Sequence, residues 1–97
     1  MINRFGSKNA GKSRKHTFAF IAPDATSVQL VGDFTLWKEH PIKLLKNRNG
    51  VWETRVDLLK GAHHYRFLVD GEWRDDPQSV MRVPNGFGTQ DSVAYID

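Results

Sequence analysis

Four short patterns in this chain carry residue types that do chemistry. The first is GSKNAGKS at residues 6–13, which fits the phosphate-loop pattern through Gly6, Gly11, Lys12 and Ser13. That loop works only between a buried strand and a helix, where backbone N–H groups converge on phosphates. Here five residues precede it, and RKHTFAFIAP follows, a run that reads as a strand closed by Pro23. Nucleotide chemistry is therefore not expected. The second pattern is His63-His64; neighbours on a strand face opposite sides and do not share a metal ion, so no metal site is expected. The third is Asp75-Asp76. A glycosidase pair must face itself across a cleft, and adjacent residues on an extended segment point apart. Cys is absent, and no Ser sits in a nucleophile elbow. No enzyme activity and no cofactor follow from these residues. The fourth pattern is the tryptophans. Trp37 and Trp73 lie in or beside turns, where a large exposed aromatic asks for a partner. Trp52 lies mid-strand and reads as core.

The elements that must position these residues come from one small domain. The chain has 97 residues and a net charge of +3. The first sixteen hold Arg4, Lys8, Lys12, Arg14 and Lys15 without an acid, a contribution of +5, so the remainder carries −2. The basic character sits in a segment expected to be flexible, residues 1–14, ahead of a domain over 15–97. A nucleic-acid binder concentrates its charge on the folded face, so nucleic acid is not an expected partner. No apolar run is long enough to span a bilayer and no signal-type apolar segment follows Met1, so a cytoplasmic protein without a membrane partner is expected.

From residue 15 the pattern is β throughout, with turn signals every 8 to 12 residues. Strands are expected at 15–22, with Phe18 and Phe20 on one face, and at 28–33, with Val28 and Leu30 inward. PIKLLK (41–46) reads as one short strand near an edge. VWETRVDL (51–58) alternates, with Trp52, Thr54, Val56 and Leu58 in phase. HHYRFLVD (63–70) places Tyr65, Phe67 and Val69 on the core face. Asn49-Gly50 and Asp70-Gly71 are hairpin dipeptides. EWRDD (72–76) starts a return strand, a short extended piece falls at 80–83, and SVAYI (92–96) closes the chain with Val93 and Tyr95 on one face. No helical period appears. The fold class is an all-β sandwich.

Four stretches in order, VQLVGDFTLW (28–37), LLKGAHHYRFLVDGEW (58–73), DDP (75–77) and VPNGFGTQDSV (83–93), resemble the family-48 carbohydrate-binding module. This family includes the glycogen-binding domain of the AMP-activated protein kinase beta subunit and domains of branching and debranching enzymes. The resemblance implies an immunoglobulin-like early-set β-sandwich that binds α-1,4-linked glucan without catalysis, with a glycogen-metabolism enzyme as a possible partner. The alternative is a protein-interaction module of the same fold without sugar binding. Two positions depart from the family. Thr35 stands where Asn is usual and folds onto a turn more weakly. Asp91 stands where the kinase-type pattern has Asn; it accepts hydrogen bonds but does not donate as an amide does.

A glucose ring carries hydroxyls at its rim and C–H groups on its faces, so an indole laid flat on it buries apolar surface on both. Two indoles set at an angle match the curve of an α-1,4 chain. The resemblance therefore implies Trp37 and Trp73 as platforms. Arg66 matches a family Lys near the sugar, and its planar donors suit adjacent hydroxyls. Thr89 and Asp91 are candidate hydroxyl partners, and Phe87 offers a larger apolar face than the kinase-type Leu. Gly86 and Gly88 read as backbone requirements.

Overall fold

A computed structural model of the chain describes residues 13–97. The phosphate-loop pattern, apart from Ser13, and nearly all of the basic segment lie outside the described residues. Nine strands follow in order: β1 Arg14–Ile21, β2 Val28–Gly32, β3 Ile42–Lys43, β4 Leu45–Lys46, β5 Val51–Leu58, β6 Gly61–Val69, β7 Glu72–Arg74, β8 Arg82–Pro84 and β9 Gln90–Ile96. Two 3-10 turns, Asp33–Thr35 and Trp37–Glu39, lie between β2 and β3. No described helix is long and apolar enough to cross a membrane.

The strands form two sheets. The smaller has the order β1-β5-β4 and the larger β3-β2-β6-β9-β8, all antiparallel. β7 shares an edge of β6 with β9: β9 pairs with residues 61–65 and β7 with residues 67–69. Period-2 alternation dictates the packing, because every second side chain points at the facing sheet. Phe18 and Phe20 of β1 meet Tyr65 and Phe67 of β6, with ring centroids 4.8 and 5.1 Å apart. Val28, Leu30, Val69 and Ile96 complete the centre, all buried. Burying each such side chain stabilises the sandwich by about 1.5–3 kcal/mol. Trp52 is a core residue, as its phase requires, and its indole N–H donates to the Ala22 carbonyl at 2.8 Å.

Segment 41–46 is two strands rather than one. β3 pairs with β2 in the larger sheet and β4 with β5 in the smaller. The chain crosses between sheets at Leu44, which is buried and donates its N–H to the Val28 carbonyl. Three other boundaries shift: β6 begins at Gly61, β9 begins at Gln90, and the extended piece near residue 80 is β8, Arg82–Pro84. The Asp70-Gly71 turn is a tight hairpin with both residues left-handed, φ 50° and 83°, as the strand twist prefers. The Asp70 carboxylate also accepts from the N–H groups of Thr26 and Ser27, tying this turn to the one before β2.

The outer face of the larger sheet carries Arg66, Trp73 and Asp91. Cross-strand partners share a face, so register identifies its members: Val31 pairs with Arg66, Leu68 with Trp73, His64 with Val93, and Val83 with Asp91. Val31, Leu68 and Val93 are buried on this side, so β2 is buried at Val31 as well as at Val28 and Leu30. On β9, Val93 and Tyr95 share that outer face, while Ala94 and Ile96 fill the core.

Candidate functional site

The polar residues of that outer face line an open cleft. The cleft has a volume of about 950 Å³ and is bounded by Trp37, Lys38, Arg66, Trp73, Asn85, Phe87, Thr89 and Asp91. All six residues singled out from the sequence are therefore brought together, from five separate parts of the chain. Lys38 and Asn85 were not foreseen.

Trp37 is positioned by a loop that departs from ordinary backbone geometry. Leu36 and Trp37 both have left-handed conformations, with φ 51° and 56°. Two consecutive non-Gly residues in that region store strain of about 1–3 kcal/mol each and need external support. Thr35 supplies it. Its hydroxyl oxygen accepts from the Gly32 N–H at 2.9 Å and lies 2.9 Å from the Gly32 carbonyl and 2.7 Å from the Trp37 carbonyl. Thr35 is 3% exposed, so these bonds are shielded from water. Burial and three contacts make Thr35 the pin of the loop.

Trp73, 41% exposed, stands on the short strand β7 beside β6. The Arg66 guanidinium carbon lies 5.3 Å from the Trp73 ring centroid, and Lys38 Nζ lies 6.0 Å from it. Both are cation–π distances. Arg66 Nε and one terminal nitrogen each lie 3.1 Å from Asp75 Oδ1. Arg66 thus commits part of its fork to Asp75 and sets its charge over Trp73. Asp75 and Asp76 do point apart. Asp76 is buried, accepts from the Tyr65 hydroxyl at 2.6 Å and caps the Gln78 N–H. Burial, and then this bond to Asp76, push the Tyr65 phenol well above its ordinary range.

The remaining wall is the five-residue loop between β8 and β9. Gly86 and Gly88 flank Phe87 at φ 85° and 81°, conformations that need glycine. Phe87 projects outward, 88% exposed. Thr89 Oγ1 lies 2.8 Å from the Asn85 amide nitrogen. Asp91, 7% exposed, accepts from the same nitrogen at 3.0 Å and has His64 Nδ1 3.4 Å from its other oxygen. The polar atoms of Thr89 and Asp91 are therefore already engaged. The Asn85-Gly86 dipeptide was the sequence signal for this loop, as Asn accepts from backbone two residues on. Among the described residues no three His, Cys, Asp or Glu side chains gather into a metal-type cluster.

An all-β sandwich with an open, aromatic-lined cleft on one sheet is the architecture of a surface-binding module. The chain belongs to the family described as the glycogen recognition site of AMP-activated protein kinase, which matches residues 16–96. It is 35% identical over 95% of its length to a chloroplastic phosphoglucan phosphatase of Arabidopsis thaliana, covering 16% of that protein. It is 37% identical over 70% of its length to a 1,4-alpha-glucan branching enzyme of Lactobacillus acidophilus, covering 10% of it. It is 33% identical over 71% of its length to the beta-1 subunit of 5'-AMP-activated protein kinase from Sus scrofa, covering 53% of it. The chain thus spans only part of each of these relatives.

Proposed function

We propose that this outer face binds α-1,4-linked glucan of the glycogen or starch type, without catalysing a reaction. The observation that carries the reading is that Trp37 and Trp73, 36 residues apart in sequence, wall one open cleft together with Phe87. Aromatic faces stack on the C–H faces of sugar rings, and a shallow cleft admits a polymer that continues at both ends. Membership of the glycogen-recognition family and relatives named for glucan chemistry point the same way.

In this reading Trp37 and Trp73 are the platforms and Phe87 extends the apolar surface. Arg66 backs Trp73 and offers its uncommitted N–H groups to hydroxyls. Thr89 and Asp91, bonded to Asn85 and His64, offer only their remaining lone pairs to hydroxyls at the far wall. The binding domain is residues 15–97, with the immunoglobulin-like early-set arrangement and cytoplasmic setting expected from the sequence. Its protein partner is a glycogen-metabolism enzyme. An open cleft with few stacked rings gives modest affinity, a Kd of roughly 1 μM to 1 mM.

Migration in native gels containing glycogen tests this, with plain and dextran gels as controls. Retardation by glycogen alone is expected, and it persists at high salt because stacking is uncharged. Equal migration in all three gels contradicts the proposal.

A further inference from the structure

Asn85 has every side-chain hydrogen-bonding group occupied by its own loop and the start of β9. Its amide nitrogen donates to Thr89 Oγ1 at 2.8 Å and to Asp91 Oδ1 at 3.0 Å. Its oxygen accepts from the Phe87 N–H at 3.0 Å and lies 3.1 Å from Thr89 Oγ1. An amide has two donors and two lone pairs, so nothing is left over for a ligand. The backbone closes the same loop, with the Asn85 N–H donating to the Thr89 carbonyl at 3.2 Å. Without these bonds the loop would hold two left-handed glycines around a Phe in contact with little else. Ordering such a segment at the moment of binding costs about 1–2 kcal/mol per residue.

We infer that Asn85 is a positioning residue that presents Phe87 as a third apolar contact in the cleft, and so sets a preference for longer glucan chains. The inference rests on the glucan-binding reading. A short oligosaccharide is satisfied by the two indoles. A longer one reaches Phe87 only if Phe87 is already held in place. Asn85 reaches Phe87 and Asp91 at once, so it aligns the loop tip with the sheet that carries Arg66 and His64. Asp91, held by Asn85 on one oxygen and facing His64 on the other, anchors the loop to that sheet.

The test is titration calorimetry with maltotriose and maltoheptaose on the wild type, Asn85→Ala, Phe87→Ala and the double variant. Phe87→Ala is expected to weaken maltoheptaose roughly tenfold, the worth of one aromatic contact, and to leave maltotriose nearly unchanged. Asn85→Ala is expected to do the same, and the double variant to lose no more than either alone, because both remove one contact. Asn85→Asp retains the oxygen at the Phe87 N–H but sets a second carboxylate beside Asp91, and is expected to lose the preference as well. The inference is overturned if the Asn85 variants, folded by circular dichroism, keep the wild-type preference, or if the double variant shows the product of the single losses. A wild type that binds neither sugar overturns the glucan reading itself, a result distinct from wild-type binding with an indifferent Asn85.

Discussion

The hydroxyl oxygen of Thr35 lies 2.7 Å from the carbonyl oxygen of Trp37, across a turn in which Trp37 itself is left-handed. The same oxygen accepts from the Gly32 N–H, so one small buried side chain joins the end of β2 to a strained residue that walls the cleft. Replacing it with Val keeps the shape and removes the hydroxyl. Thr35→Val leaves the buried Gly32 N–H without a partner and is expected to cost about 1–3 kcal/mol of stability. It should also weaken glucan binding. Denaturant unfolding and a maltoheptaose titration measure the two effects; an unchanged affinity would show that Trp37 does not depend on this pin.

Arg66 gives a second prediction. Its guanidinium lies over Trp73 and is fixed by Asp75. Arg66→Ala removes a cation–π contact worth about 0.5–2 kcal/mol and frees Trp73 to turn. The expected outcome is a roughly 3- to 30-fold loss of affinity. Arg66→Lys is expected to recover only part of it, since an ammonium lacks the planar fork. Full recovery by Lys would mean that charge, not the planar stack, is what the site needs.

Tyr65 gives a pH dependence. Desolvation and the hydrogen bond to Asp76 raise its folded pKa above the unfolded value near 10. The protonated phenol is thus favoured in the folded state. That stability is fully present below the unfolded pKa and is lost as pH rises through it toward the folded value. Thermal unfolding of the wild type should therefore fall off above about pH 10, more steeply than in Tyr65→Phe. Near neutrality Tyr65→Phe should be less stable by about 1–3 kcal/mol, because the buried Asp76 carboxylate loses its phenol donor. Parallel alkaline slopes in the two proteins would contradict this.

Much of the architecture was legible in the residues. Alternation in 51–58 and 63–70 located the two long central strands, because a half-buried strand must repeat every second residue. It also assigned Trp52 to the core and Arg66 to the opposite face. The split of 41–46 was not legible, because a chain that changes sheets at Leu44 shows only a short apolar run. Val31 broke the period for a related reason: the outer face of its sheet is covered by the loop and cleft residues, so both sides of β2 are buried. At the cleft, the aromatic members were readable from their places beside turns. Arg66, Thr89 and Asp91 were readable from the family resemblance, but Lys38, Asn85 and the bonds that tie the polar members together were not. Thr35, Asn85 and Asp91 act through bonds to one another and to backbone, and such bonds depend on which loops meet in space.

The cleft's two indoles bear most directly on the account. Titration calorimetry of maltoheptaose against the wild type and a Trp37→Ala/Trp73→Ala double variant, at low and high salt, measures what they do. The account predicts modest, salt-independent binding by the wild type. It also predicts at least a hundredfold loss in the variant, roughly two aromatic contacts. Wild-type binding that survives loss of both indoles, or no binding by a folded wild type, would contradict it.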